Sequence, residues 1–396
     1  MLLVAVGCAT PGDARHAEFE IRPVVGAGEA APSGDAFAGF GALQLNAAGD
    51  LLFEARLALG GGAFRGGLFI VRGDRIDAVA VQGEPTPIGG RYLGFSYGVL
   101  NDRREIAFVA MIERAGNDRP GPLLAIFRTG QGISPVAIAQ QEPAPVEGRF
   151  TAFSDLALGG GGSLAFVATL DHADAPAALF VSDAGVITRL AAVLDPTPAG
   201  GHFREVSTPS IGRAGAVAFH GAISGARPRA GIFLASREAI RSLVLTGDAT
   251  PLGGTFGRLA NPVLGRDGTL YFWGQIDGGR APSAIFVRRE WGELHPLAIR
   301  GAPSPSGRPF SFLGIEFTVA DALAFEADLD ETPATSAIFL AAGATVQPVV
   351  RSGRPATGGH LFTEFGGFAV GAHDELAFVG VAGGRTAIYR ARPRRR

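Results

Sequence analysis

Apolar and polar residues alternate along many short stretches of this chain, and glycine- and proline-rich segments separate the stretches. In the stretch from Leu164 to Leu170, the side chains of Leu164, Phe166 and Ala168 fall on one face. A period of two predicts a β-strand, because successive side chains of a strand point to opposite faces. The apolar run Ala178–Val181 predicts the next strand. No stretch keeps a 3.6-residue period between helix caps, so we expect very little helix.

The strand pattern repeats along the whole chain. A second apolar signature, mostly "A-I-F" or "G-I-F", follows each copy of an "A-F" signature at nearly the same interval. From the third copy onward the "A-F" copies are 53 residues apart. Such a period is typical of propellers, solenoids and arrays, and its length suits four short strands with their turns. The aromatic residues of the two signatures are Phe53, Phe108, Phe166, Phe219, Phe272, Phe325 and Phe378, and Phe69, Phe127, Phe180, Phe233, Phe286, Phe339 and Tyr389.

The fourth strand of the repeat carries a proline in several copies. With the strands named a to d in chain order, strand d contains Pro23, Pro135, Pro296 or Pro348. Proline has no N–H to donate to a ladder and is therefore confined to edge strands or bulges. We predict that strand d is the outer edge of each sheet and that strand a lines a central channel.

The two ends of the chain together complete one repeat. Residues 20–25 match strand d at residues 346–350, whereas the chain stops shortly after a strand c at Tyr389. The sequence therefore predicts an all-β, seven-bladed β-propeller with four antiparallel strands per blade, closed by pairing of the N-terminal d strand with the C-terminal a, b and c strands. Another β-repeat fold is the alternative, but a linear solenoid has no need of this permuted start. The predicted domains are a lead segment at 1–18, the propeller at 19–391 and a basic tail at 392–396.

The segment Asn46–Phe53 resembles the repeat of the choice-of-anchor tandem repeat NxxGxxAF proteins, and the resemblance extends over nearly the whole chain. It implies an exported bacterial repeat protein. The Asn position is occupied by Asn46 and Asn101 but by Gly or Thr in the other copies. Since Asn and Gly tolerate positive φ, we interpret this position as part of the a-to-b turn. The C-terminal surface anchor of that group has no counterpart here, because the chain ends in Arg390–Arg396 without an apolar tail.

Composition excludes several classes of protein. Hydrophobic residues make up 47% of the chain and charged residues 18%, which is typical of a folded globular protein. The net charge of −2 gives no overall attraction to nucleic acid. A single cysteine permits neither an internal disulfide nor a Cys-rich zinc site. We expect no cofactor, no metal site, no nucleic-acid partner, no transmembrane segment and a monomer.

That cysteine, Cys8, follows the apolar start Met1–Gly7, which resembles the end of a bacterial lipoprotein signal. Ala5 stands where such signals usually have Leu, the apolar run is short, and the positive residues of an export signal are missing. A lipid anchor at Cys8 in the cell envelope is our prediction. Another exported form and a chance apolar N-terminus are the alternatives.

One face of the ring is richer in candidate ligand-binding residues than the other. The d-to-a and b-to-c connections emerge there, and we call it the upper face; the a-to-b and c-to-d turns form the lower face. Loops on a rigid scaffold often carry function, so we expect an unknown protein or glycan partner at this face. The alternative is that the repeated acids only bind backbone donors within their turns. The candidate residues are Arg91, Arg149, His202, His360, Asp195 and Asp248.

A second set of candidates interrupts the apolar consensus of the inner strands. Paired carboxylates beside a channel are the groups that general acid–base catalysis requires, although a hydrated channel also accommodates polar residues. The sequence favours a non-enzymatic binding or structural module. A hydrolase or lyase acting on a carbohydrate or polyphenolic substrate is the alternative. The catalytic candidates are Asp155, Glu205, Arg258, Glu316 and Glu364.

Overall fold

The computed structural model describes residues 18–113, 121–140, 148–171, 175–212, 215–289, 292–320, 322–332, 335–343 and 345–394, with the backbone alone at 97 and 315–319. Within these ranges the regular secondary structure is β-strand, apart from a single-turn 3-10 helix at Ala372–Asp374. The strands are β1 (Phe19–Gly26), β2 (Ala36–Leu45), β3 (Leu51–Ala58), β4 (Phe64–Arg72), β5 (Arg75–Val81), β6 (Tyr92–Leu100), β7 (Ile106–Ile112), β8 (Leu123–Gly130), β9 (Gly132–Ile138), β10 (Arg149–Leu158), β11 (Leu164–Asp171), β12 (Ala177–Asp183), β13 (Val186–Ala192), β14 (His202–Ile211), β15 (Val217–Ser224), β16 (Ala230–Ala235), β17 (Ile240–Leu245), β18 (Thr255–Leu264), β19 (Leu270–Asp277), β20 (Ser283–Arg288), β21 (Leu294–Ile299), β22 (Phe310–Val319), β23 (Leu323–Leu329), β24 (Thr335–Ala342), β25 (Thr345–Arg351), β26 (Phe362–Val370), β27 (Leu376–Ala382) and β28 (Arg385–Pro393).

These strands form seven four-stranded antiparallel sheets, which are the blades of a β-propeller, as predicted. Blades 1 to 6 each consist of four consecutive strands, beginning with β2–β5. Blade 7 has the order β26-β27-β28-β1, so the first strand of the chain is its outer strand. The pairing runs from Phe19 opposite Pro393 to Gly26 opposite Ala387. Ring closure by the N-terminal strand is therefore confirmed.

The prolines of strand d lie where the sequence placed them, on the outer edge of their sheets. Pro135 is opposite Phe127 and Pro348 is opposite Phe339, and in both pairs the strand register shifts next to the proline. An edge strand tolerates proline because only one of its two sides pairs with another strand. A missing N–H on the unpaired side therefore costs no ladder hydrogen bond.

An aromatic triplet fills the centre of each blade. In blade 3, Phe166 and Phe180 are stacked with ring centroids 5.5 Å apart, and Phe150 meets Phe180 edge-on at 5.2 Å. The same arrangement recurs in the other blades, with a tyrosine replacing one phenylalanine in blades 2 and 7. Aromatic pairs in such geometries add stability beyond the area they bury. The repeated phenylalanines are therefore core residues.

The Asn position of the repeat forms the a-to-b turn and also joins neighbouring blades. The side-chain oxygen of Asn101 accepts hydrogen bonds from the backbone N–H groups of Arg103 and Glu105, each at 3.0 Å. Its amide nitrogen donates to the carbonyl oxygen of Gly159 in the next blade at 3.1 Å. In blade 7 this position is Gly371, where a Cβ atom would lie 2.8 Å from the side chain of Leu45. Either residue type thus serves packing between blades, and its place in the a-to-b turn is confirmed. The expected positive φ is wrong for this position, since Gly371 has a φ of −107°, and the positive φ lies three residues later, at Gly49 and Arg104.

Removing β1 is expected to destabilise the whole ring. A chain that starts at residue 28 loses the partner of β28 and the side chain of Val25, which is 1% exposed. A chain that starts at residue 18 keeps both and is the matched control. We expect a melting temperature several degrees lower and aggregation on heating for the shorter chain only, measured by circular dichroism and light scattering. Equal melting temperatures for the two chains would contradict the closure described above.

Candidate functional site

The inner strands of the blades surround a cavity of about 1400 Å³ that extends to the a-to-b and c-to-d turns of the lower face. Each blade contributes to its wall from strand a or from the turn that follows. The apolar wall residues include Leu43, Val99, Leu156, Ile211, Val263, Ala320 and Phe368, one from each blade. Polar side chains border the cavity together with these apolar residues, and a large concave pocket is the usual place for a ligand.

Three polar residues form an arc on one side of this cavity. Asp155, Thr208 and Asn261 border it from the inner strands of blades 3, 4 and 5. Each lies at a register shift of its strand and has a positive φ, between 46° and 50°. This conformation is unfavourable for a β-branched residue such as Thr208, and strain of this kind is concentrated at functional sites in proteins. The opposite wall, from blades 1 and 7, presents Ala42 and Gly367 instead.

Hydrogen bonds hold the arc in place and leave one group unsatisfied. The carboxylate of Asp155 accepts a hydrogen bond from the backbone N–H of Thr208 and another, at 3.4 Å, from the hydroxyl of Ser154. The Thr208 hydroxyl is buried and has no hydrogen-bond partner among the described residues. Burial raises the pKa of Asp155, and the negative charge of Glu205 raises it further. A buried hydroxyl without a partner is costly, so Thr208 adds to the strain at this place in the structure.

Next to the arc lies a histidine that the sequence analysis missed. His220 is on strand b of blade 4, and its Nδ1 atom is 3.5 Å from the hydroxyl of Ser207. Burial lowers the pKa of His220, as does the positive charge of Arg258, whereas Glu205 acts in the opposite direction. The structure therefore brings His220 near Glu205 and Arg258, two of the predicted catalytic candidates. The available signal was that blades 2, 3 and 7 have valine at this position, as in Val167, and that no other blade has histidine there.

Further up the channel, one position of strand a differs sharply around the ring. In every blade this residue pairs with the residue three positions after the "A-F" phenylalanine of strand b. Blades 4 to 7 carry side chains that are exposed on the inner strand, whereas blades 1 to 3 carry only glycine or alanine. In blade order the residues are Gly39, Gly94, Ala152, Glu205, Arg258, Phe312 and Glu364. We call the last four the upper wall.

The upper wall contains three predicted catalytic candidates and one residue that was missed. Phe312 is 52% exposed, although it was passed over as part of the apolar consensus. Its alignment with Glu205 and Arg258 in the repeat was the signal that could have identified it. Glu316 lies further along the same strand, β22, where only the backbone is described.

The upper-face candidates are spread over the d-to-a connections of five blades and do not form one cluster. The carboxylates of Asp195 and Asp248 accept hydrogen bonds from the backbone N–H groups of Ala192 and Leu245 at 2.9 Å and 2.8 Å. These contacts are the turn-stabilising role given above as the alternative. Arg91 donates to the carbonyl oxygen of Gly83, at the start of its own connection. The remaining candidates, Arg149, His202 and His360, are exposed; Cys8 lies outside the described residues.

An ion pair crosses the lower mouth of the channel. The Nη2 atom of Arg266 in blade 5 is 2.8 Å from the Oδ1 atom of Asp102 in blade 2. These blades lie three apart in the ring of seven, so the pair spans the opening and does not join neighbours. The same Asp102 oxygen accepts a hydrogen bond from the backbone N–H of Ala47 in blade 1 at 2.8 Å. The lower mouth is therefore bridged by side chains.

Among the described residues, no group of three or more His, Cys, Asp or Glu side chains could hold a metal ion. The same residues contain no helix long and apolar enough to cross a membrane.

Comparison with known proteins identifies the family. The sequence model described as Family of unknown function (DUF7453) matches residues 14–177 and, in an overlapping placement, residues 125–387. The chain belongs to this family. The overlap reflects the repeat, because a DUF7453 match to several blades can be placed in more than one register. A search of curated proteins gave no match.

Solved structures confirm the propeller fold of this DUF7453 protein. The β-propeller domain of the Trilobed protease from Pyrococcus furiosus superimposes with a TM-score of 0.54 at 11% identity, covering 89% of this chain and 95% of that one. That domain has an open velcro topology, whereas here β1 closes the ring. A puromycin-hydrolyzing peptidase from Mycobacterium tuberculosis matches with a TM-score of 0.48 at 13% identity, over 90% of this chain and 52% of that one. At such identities the likeness shows the fold alone.

Acidification is expected to destabilise the protein through His220. Its pKa is lower in the folded state than in the unfolded chain, so the unfolded state binds the proton first as the pH falls. The free energy of unfolding should therefore decrease below about pH 6.5, the usual histidine value, and this contribution is absent at higher pH. In His220→Val, which introduces the residue of blades 2, 3 and 7, the decrease should be smaller. Urea denaturation between about pH 5 and pH 8 measures the free energy of unfolding of the wild type and of His220→Val. Asp155 is present in both proteins and acts in the opposite direction, so its contribution cancels when the two values are subtracted at each pH.

A control at an exposed histidine, His202→Val, should keep the wild-type pH dependence. If His220→Val also followed the wild-type curve, the assignment of the effect to His220 would be wrong.

Proposed function

We propose that this protein is an exported, non-enzymatic module of the bacterial cell envelope that binds a small ligand in its central channel. The observation that carries the proposal is the cavity of about 1400 Å³ with the arc of Asp155, Thr208 and Asn261 on one side. The arc offers a carboxylate and an amide beside a wall that holds both apolar and polar residues. The strained backbone at these residues supports a role in binding.

The ligand enters from the upper face in this proposal. The Arg266–Asp102 pair bridges the lower mouth, whereas the inner strands of blades 1 to 3 carry only small residues at the level of the upper wall. Exposed ion pairs contribute about 0–1 kcal/mol to stability, so the Arg266–Asp102 pair is easily broken. Its side chains nevertheless narrow the opening of the channel at the lower face. Entry from above also agrees with the upper face as the expected partner side.

Blocking the cavity should abolish ligand binding without unfolding the protein. Ala42 borders the cavity and is exposed within it, so Ala42→Trp would fill space without displacing the core. A thermal-shift screen of metabolites and glycans should identify compounds that stabilise the wild type, by about 2.7 kcal/mol at a hundred times the dissociation constant. The same compounds should have no effect on Ala42→Trp. Val186→Trp, at a 62% exposed position outside the cavity, is the matched control and should respond as the wild type does. Stabilisation that persists in Ala42→Trp would place the ligand elsewhere.

A hydrolase or lyase is the second candidate, and one observation favours it. Asp155 has a raised pKa beside Glu205, an exposed carboxylate. Two acids in unlike environments suit a general acid and a general base acting on a carbohydrate or polyphenolic substrate. Nitrophenyl glycosides and phenolic esters added to the screen separate the candidates. An enzyme would release the chromophore and lose this activity in Asp155→Asn, whereas a binding module would release none in either protein.

Export by lipidation is proposed from the sequence around Cys8 and from the resemblance to exported repeat proteins. Bacteria that express the gene with its full upstream reading frame should incorporate a fatty-acid analogue into the wild type and not into Cys8→Ser. Labelling of purified protein, detected by in-gel fluorescence, measures this. Ala9→Ser serves as the control and should be labelled as the wild type is. Equal labelling with and without Cys8 would end the lipid-anchor proposal.

A further inference from the structure

We propose that the upper wall, formed by Glu205, Arg258, Phe312 and Glu364, is a carbohydrate-binding surface at the upper end of the channel. This inference rests on the proposed function, since it names the ligand class of the channel. It adds a binding residue, Phe312, and assigns to the two glutamates and the arginine the role of hydrogen-bonding sugar hydroxyls.

The placement of these residues creates a wall that faces open space. They occupy one equivalent position in four consecutive blades, at one level of the channel. The other three blades have Gly39, Gly94 and Ala152 at this level, and a Cβ atom built on Gly39 would meet nothing within 4 Å. At this level of the inner strands, blades 4 to 7 therefore carry large exposed side chains and blades 1 to 3 carry small residues, which leaves room beside Gly39 for a ring-shaped ligand.

The exposed ring of Phe312 indicates the class of ligand that the upper wall binds. Its neighbours on the strand, Phe310 and Leu313, are 4% and 2% exposed, whereas Phe312 is 52% exposed. Another exposed ring, Phe64, is covered by the guanidinium of Arg56 at 4.2 Å from its centroid. Within the described part of the chain, Phe312 has neither a ring contact nor a cation over its face. An exposed aromatic face on an inner strand is suited to the C–H face of a sugar ring, which would remove its apolar surface from water.

The polar residues of the wall match a neutral polyol better than a charged ligand. Two carboxylates and one guanidinium leave a local charge near −1, which gives no strong attraction to a polyanion. Carboxylates accept hydrogen bonds from hydroxyls, and the guanidinium donates several in a fixed geometry. A carbohydrate supplies donors and acceptors together with an apolar face, so it would satisfy all four side chains at once.

The test uses the intact protein and defined oligosaccharides. A glycan array selects the tightest binder, and isothermal titration calorimetry then measures its dissociation constant for the wild type and the variants. We expect Phe312→Ala to bind about tenfold more weakly and Phe312→Trp to retain affinity. Phe64→Ala removes a phenylalanine of similar exposure, 49%, outside the channel and should bind normally. Glu205→Gln and Glu364→Gln should weaken binding, and Gly39→Trp should abolish it by filling the vacant side.

The outcomes separate this inference from the function on which it rests. Glycan binding that is unchanged in Phe312→Ala and Gly39→Trp would overturn the proposed surface. If no glycan binds but other compounds stabilise the wild type and not Ala42→Trp, the carbohydrate assignment is wrong and the channel remains the binding site. If no compound of any class binds in the channel, both proposals fail. A melting temperature for Phe312→Ala equal to that of the wild type confirms that lost affinity does not result from unfolding.

Discussion

The pairing of β1 with β28 is the constraint on which the rest of this structure depends. The blades are similar sheets that contact mainly their neighbours, so only closure of the ring fixes how far apart their inner strands are. Closing so long a loop has an entropic cost that grows slowly with length, and the strand pairing together with burial of Val25 offsets it. The cavity, the arc and the upper wall all arise because seven inner strands are held around one axis.

Within this symmetric frame, the chain places its unlike residues on a few blades. The acids of the d-to-a turns are alike, and Asp195 and Asp248 perform the same task of binding a backbone N–H in their turns. Inside the channel the blades differ, since Thr208 faces Ala42 across the cavity. A ring of identical blades would present the same group seven times, which suits few small ligands. Asymmetry of the interior is thus what gives a repeat scaffold a specific site.

The fold could be predicted because each blade repeats the same physical solution. Buried phenylalanines such as Phe166 recur at a fixed interval, and Pro348 marks an outer edge by its missing N–H. The polar candidates Asp155, Glu205 and Arg258 were visible as departures from an apolar consensus, and the structure places them near one another. Phe312 escaped notice because an apolar residue in an apolar strand is no departure. Exposure depends on what the neighbouring blades leave uncovered.

The bridge from Arg266 to Asp102 could not have been predicted at all, because it depends on the width of the ring and on no periodicity.

The meeting of the two chain ends determines how a tethered propeller would be oriented. Arg394 donates backbone and side-chain hydrogen bonds to Glu18, so both ends of the described chain leave the ring together on the lower face. A tether attached at either end would hold the propeller by its lower face. The upper wall with Phe312 would then face away from the attachment surface, toward the surrounding solution.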